Sequence, residues 1–172
     1  MASKQLMKHQ AGNHVRTLTM TTRSHPNVKN QPISSAEPTR ILLLEDNMEL
    51  SQALEEYLAG EGYEVQRVPN GAEGIKALRA KQFHVIVCDM RMPYLPGDMF
   101  YRAVQQTCPE VCGRFIFMTG HRADRGIDQF IRRARGFLLW KPFEMRELLQ
   151  AIQLALRKME ATLAEPVVSV SA

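Results

Sequence analysis

Four apolar runs in this 172-residue chain end on residues that can do chemistry. ILLL (41–44) is followed by Glu45-Asp46, VIVC (85–88) by Asp89, FIFM (115–118) by Thr119, and FLLW (137–140) by Lys141. Each run reads as a strand covered on both faces. If the strands are parallel, their C-terminal ends share one edge of the sheet, where open α/β folds bind ligands. Three carboxylates, a hydroxyl and an amine then meet on one rim. Crowded carboxylates repel and raise one another's pKa. A hard divalent cation relieves this, and Mg²⁺ is typically held by one or two carboxylates together with a phosphate. Such a cation also neutralises charge on a transferring phosphoryl group. Lys141 can hold one phosphate oxygen as a point charge, and the Thr119 hydroxyl can donate to another. That leaves Asp89 as a nucleophile able to accept a phosphoryl group and become an acyl phosphate. Taken singly, each residue has a plainer reading: Asp89 as a turn cap, Glu45-Asp46 as acids favoured at a helix N-terminus, Thr119 as a turn residue. Their coincidence at four separate strand ends carries the inference.

The elements that position them follow from periodicity. MELSQALEEYLAG (48–60) spaces its apolar residues as a helix, with Gly60 as its stop. YEVQRV (63–68) alternates as a strand, and Asn70-Gly71 turns into a short helix carrying Ile75 and Leu78. FHVIVC (83–88) is the third strand, followed by a helix over 98–107. RFIFM (114–118) is the fourth, followed by a helix over 123–135. FLLW is the fifth, and the last helix carries Met145, Leu148, Leu149, Ile152, Leu156 and Met159 on one stripe. Five β–α units in succession predict an α/β, doubly wound, five-stranded parallel sheet with five helices and right-handed crossovers.

Composition narrows the class. Hydrophobic residues make up 45% of the chain, enough for a core. No apolar run approaches the ~18–20 residues of a membrane span, and the N-terminus lacks the apolar block of a secretory signal. Residues 1–40 hold Lys4, Lys8, Arg16, Arg23, Lys29 and Arg40 against Glu37, a net +5. The other 16 basic and 17 acidic residues net −1, which gives the chain its +4. The basic excess therefore belongs to the first 40 residues, of which 1–39 form a Ser/Thr/Asn/Gln-rich segment expected to be a disordered tail. The folded domain is expected over 40–163 and a short tail over 164–172. The three cysteines, Cys88, Cys108 and Cys112, read as reduced thiols in the cytoplasm.

LLLEDN, VIVCDMRMP, FIFMTG and LLWKPF, in this order and at these separations, resemble the receiver domain of two-component response regulators, over residues 40–163. The resemblance implies a flavodoxin-like sheet of order 2-1-3-4-5 and Mg²⁺ as cofactor. It implies Asp89 as phosphoacceptor, Asp46 as a direct metal ligand, Glu45 acting largely through water, and the Arg91 backbone carbonyl as a further ligand. Thr119 and Lys141 would contact the phosphoryl oxygens. The implied donor is a histidine kinase or histidine phosphotransfer protein. The implied output is binding to a downstream effector, or passage of the phosphoryl group along a phosphorelay, through the face of the fourth helix, fifth strand and fifth helix. That face would also serve any oligomer. The family's switch aromatic sits three residues before the lysine, where this chain has Leu138. Gly136 lies only five residues before Lys141, and both features look closer to receivers of hybrid histidine kinases. Arg91 and His121 would flank the phosphoryl group.

No effector domain is expected after residue 163, and the only catalysis expected is the chain's own phosphorylation and dephosphorylation. A receiver-like platform that binds without phosphate is the alternative. A Mg²⁺-dependent aspartyl-phosphate phosphatase needs a second acid two residues after the nucleophile, where Arg91 stands. A nucleotide or flavin site lacks its glycine-rich loop after the first strand. Sequence-specific DNA binding lacks a folded basic face.

Overall fold

A computed structural model describes residues 37–120 and 125–164. The expected N-terminal disorder, His121 and the residues after 164 lie outside that range. The elements run β1 (Arg40–Leu44), α1 (Met48–Gly60), β2 (Glu64–Val68), α2 (Gly71–Ala80), β3 (Val85–Asp89), α3 (Gly97–Thr107), β4 (Phe115–Thr119), α4 (Arg125–Arg133), β5 (Phe137–Trp140) and α5 (Met145–Ala164). The strands form one sheet in the order β2-β1-β3-β4-β5, every pair parallel. This is the architecture expected from the alternation of runs.

Strand composition follows position in the sheet. β3 and β4 are buried at every residue, as is β1 after Arg40, because helices cover both faces. The edge strands β2 and β5 keep exposed or half-exposed residues, which is why EVQRV alternates. Leu42, Leu44, Ile86, Cys88, Phe115 and Phe117 point to one layer, with Ala77, Phe100, Val104 and Phe130 from α2, α3 and α4. Ile41, Leu43, Val85, Val87, Ile116 and Met118 point to the other, with Leu54 and Leu58 of α1 and Leu148 and Ile152 of α5. Each fully buried aliphatic or aromatic side chain contributes about 1.5–3 kcal/mol by leaving water.

Local differences from the sequence reading have identifiable causes. Gly60 remains inside α1; the turn is made by Gly62 at φ 87, whose N–H donates to the Ala59 carbonyl. A 3₁₀ helix, Pro109–Arg114, separates α3 from β4 and carries Cys112 into the core. Asp89 is the last residue of β3, paired with Met118, rather than the first after it. α4 ends at Arg133, two residues before its expected end, and α5 extends one residue past the expected domain end, to Ala164. All three cysteines are free thiols.

At the opposite edge of the sheet from Asp89, a buried histidine joins β1 to the approach of β3. The His84 N–H donates to the Arg40 carbonyl, and its Nδ1 accepts from the Arg40 N–H, each at 2.9 Å. Burial lowers its pKa, and the charges of Arg40 and Arg114 lower it further. A histidine depressed in the folded state contributes stability that is present above its unfolded pKa and lost as pH falls through the folded value. Between about pH 7 and 5.5, wild type should lose stability to urea, and His84→Asn, which keeps an acceptor but not the titration, should lose less. Parallel losses would show that His84 does not titrate in that window.

Candidate functional site

The register of the sheet builds the site. β1 and β3 run side by side, Leu44 opposite Cys88, so Glu45 and Asp89 emerge as neighbours. β4 carries Thr119 opposite Trp140, and the Lys141 N–H donates to the Thr119 carbonyl at 2.8 Å. All the site residues expected from strand ends therefore lie on one edge. Carboxylate oxygens of Glu45, Asp46 and Asp89 lie within 4.8 Å of one another. Lys141 Nζ reaches Asp89 Oδ2 at 2.6 Å and Glu45 Oε2 at 2.7 Å.

Neighbouring residues release these groups from local duties. Asn47, not Asp46, caps α1, its Oδ1 accepting the Leu50 N–H at 3.0 Å. Asp46 thus stays exposed beside the buried Glu45 and Asp89. Glu45 Oε1 accepts the Asn47 N–H at 3.3 Å. Asp89 Oδ1 accepts the Arg91 N–H at 3.0 Å, which folds the Arg91 backbone back beside the carboxylate. Thr119 is buried at the end of β4. The loop after β3 carries Tyr94 at φ 64, a left-handed conformation uncommon outside glycine. α3 then starts on Gly97 without a side-chain cap.

Burial raises the Glu45 pKa, opposed by the Lys141 hydrogen bond and reinforced by the charge of Asp89. Burial alone would lower the Lys141 pKa, but its hydrogen bonds to Asp89 and Glu45 outweigh that and raise it. The rim is thus an acidic trio, two of whose carboxylates, Glu45 and Asp89, are bridged by one ammonium. Its all-oxygen donors, two of them buried, fit a hard divalent cation such as Mg²⁺ and not a soft metal.

Lys141 was expected from the sequence, but its second partner and one further residue were not. Lys141 bridges Glu45 as well as Asp89, which needs the β1–β3–β5 geometry. Gly97 packs against the end of β3 so closely that an added Cβ would collide with the Asp89 carbonyl oxygen and lie 3.0 Å from Met90 Cα. The Pro96-Gly97 pair was the available signal for it.

A family model described as the response regulator receiver domain matches residues 41–153. The transcriptional regulatory protein RprY of Bacteroides fragilis is 32% identical over 127 residues, covering 74% of this chain and 53% of that protein. A putative response regulator from Chloroflexus aurantiacus is 27% identical with a TM-score of 0.62, covering 70% of this chain and 99% of that one. A CheY-like receiver domain protein from Methanospirillum hungatei superposes with a TM-score of 0.67 at 24% identity, covering 73% of this chain and 99% of that one. The chain belongs to the response regulator receiver domain family. It spans about half the length of the curated relatives it matches. Among the described residues, no helix is long and apolar enough to cross a membrane.

Proposed function

We propose that Asp89 accepts a phosphoryl group from the phosphohistidine of a histidine kinase or phosphotransfer protein in the cytoplasm. The observation that carries this reading is the Asp89 carboxylate itself, at once part of the acidic trio and ion-paired to Lys141. An Asp89 oxygen forms the new P–O bond as the donor's P–N bond breaks, and the imidazole leaves with the bonding pair. Lys141 then passes one hydrogen bond from the carboxylate to a phosphoryl oxygen, and the Thr119 hydroxyl donates to another. Asp46 and Asp89, with Glu45 acting through water and Arg91 through its carbonyl, would hold Mg²⁺. The chemistry it supplies when bound is charge neutralisation on the phosphoryl oxygens. Beyond its own phosphorylation and dephosphorylation the protein catalyses nothing. It signals through protein contacts on the α4–β5–α5 face or hands the phosphoryl group on in a relay.

Acetyl phosphate with Mg²⁺ tests this without a protein donor. Intact-mass spectrometry should show one added phosphoryl group on wild type, and none on Asp89→Ala or in excess chelator. A gain that persists in Asp89→Ala would place the acceptor elsewhere, and no gain on wild type would favour a platform that binds without phosphate.

A further inference from the structure

β2 brings no chemical group to the rim, yet the turn after it touches both loops that would hold the cation. β2 ends at Val68, opposite Leu44, and the Glu45 N–H donates to the Val68 carbonyl at 3.2 Å. That bond carries the β1–β2 ladder past the end of β1 and fixes the backbone of the buried acid. Asn70 then caps α2, its Oδ1 accepting the Glu73 N–H at 3.0 Å. Gly71 is the first residue of α2, where a backbone N–H has no partner within the helix. It donates instead to the Leu95 carbonyl, 3.3 Å away in the loop between β3 and α3.

That loop is held at its base and at its outer turn. The Met90 N–H donates to the Met118 carbonyl at 2.9 Å and the Gly97 N–H to the Met90 carbonyl at 3.2 Å, which closes the base. The outer turn carries Tyr94 at φ 64 and a bond from the Leu95 N–H to the Pro93 carbonyl at 2.7 Å. Gly71 ties this outer turn to α2, and the fit leaves no room. A Cβ at Gly71 would lie 2.7 Å from the Leu95 carbonyl oxygen and 2.8 Å from Phe100 Cβ. Gly74, on the same face of α2, is packed as closely, but the nearest atoms to a Cβ there belong to side chains: Leu44 Cδ2 at 2.7 Å and the Phe100 ring at 3.0 Å. Packing of α2 on the core accounts for Gly74. It does not account for Gly71, whose N–H and missing side chain both face a loop carbonyl.

We infer that Gly71 is a positioning residue for the divalent cation, acting through Leu95 on the loop that carries the Arg91 carbonyl. The inference rests on the reading of the rim as a Mg²⁺-dependent phosphoacceptor. Mg²⁺ demands near-ideal octahedral geometry, so a small displacement of the loop costs affinity. Groups that hold metal ligands in place, without touching the metal, set affinity by about 10–100-fold. The close neighbours of Gly71 are Leu95 and Phe100 rather than Asp89 or Lys141. Gly71 therefore governs how tightly the cation is held, not the rate of transfer once it is bound.

The test is Mn²⁺ binding to the full chain, read from the electron paramagnetic resonance signal of the free ion; Mn²⁺ shares the oxygen preference of Mg²⁺. Gly71→Ala should weaken binding about 10-fold. Gly74→Ala should unfold at lower urea concentration but bind Mn²⁺ as wild type does. Asn70→Ala loosens the first turn of α2 without adding atoms. It should weaken binding several-fold, and it decides the matter if Gly71→Ala does not fold. Acceptance from acetyl phosphate by Gly71→Ala should need about 10-fold more Mg²⁺ and reach the wild-type rate at saturation. Wild-type Mn²⁺ affinity in Gly71→Ala or Asn70→Ala would overturn the inference. So would a loss in Gly74→Ala as large as that in Gly71→Ala, or a rate that stays low at saturating Mg²⁺. Wild type that binds Mn²⁺ but takes no phosphoryl group would overturn the phosphoacceptor reading instead, and the order of Mn²⁺ affinities would still decide this one.

Discussion

Lys141→Met should lower the stability of the protein in chelator by about 2–4 kcal/mol. It should also slow phosphoryl acceptance from acetyl phosphate about 100-fold. Both effects come from one ammonium. Lys141 Nζ is within 2.7 Å of Glu45 Oε2 and Asp89 Oδ2, and those two carboxylates are nearly sealed from water, at 4% and 7% exposure. Removing the cation leaves two adjacent buried anions, and the cost of breaking such a pair exceeds the net value of having made it. Methionine keeps an unbranched stem of similar length, so the loss is of charge rather than of volume. Added Mg²⁺ should return part of the stability, because it supplies charge to the same oxygens and binds only the folded form. Acceptance should stay slow, since the hydrogen bond to the phosphoryl oxygen is gone. Urea melts in chelator and in Mg²⁺, with acceptance rates on the same samples, measure both. Equal melts in chelator would mean that the ion pairs contribute nothing net to folding.

The sequence carried more of the site than of the packing beneath it. The ends of β1, β3, β4 and β5 were legible because a buried strand announces itself as an unbroken apolar run, and the first polar residue after such a run is conspicuous. Parallel topology then places those residues on one edge without knowledge of any contact. What needed the fold was the partner of each group. Glu45 and Lys141 are 96 positions apart, and only the β2-β1-β3-β4-β5 order brings them together. The cap of α1 by Asn47, whose Oδ1 accepts the Leu50 N–H, also needed the fold. The support beneath α4 was equally hidden. Tyr101 from α3 packs edge-on against Phe115, Phe117 and Phe130, and its hydroxyl accepts the Arg135 N–H at 3.0 Å. Leu138 lies opposite Phe117 in the register and packs against this cluster. Aromatic bulk on this face of the sheet therefore comes from α3, β4 and α4. Spread over three elements, it has no sequence period to reveal it.

Gly97→Ala should cost about 1–3 kcal/mol or more, the range for forcing extra atoms into a packed site, and should slow phosphoryl acceptance out of proportion to the stability lost. A Cβ at Gly97 would meet the Asp89 carbonyl oxygen and Met90 Cα, both backbone atoms, with Cys88 Sγ at 3.1 Å. A flexible side chain could swing aside, but the end of β3 is held in the sheet by pairing with Met118 and by the Met90 N–H donating to the Met118 carbonyl at 2.9 Å. Either α3 lifts or the Asp89 backbone shifts. Asp89 Oδ2 sits 2.6 Å from Lys141 Nζ, so a shift of under an ångström separates the nucleophile from the cation that orients it. Gly60→Ala is the matched control: it lies at the end of α1, nothing stands within 4 Å of its Cβ position, and alanine should stabilise it by about 0.5–1 kcal/mol. Urea melts and acetyl phosphate kinetics on both variants separate the two outcomes. If Gly97→Ala melts and reacts like wild type, the close approach of α3 to β3 does not fix the position of Asp89. If it loses both stability and rate while Gly60→Ala loses neither, a residue with no side chain sets the geometry of the nucleophile.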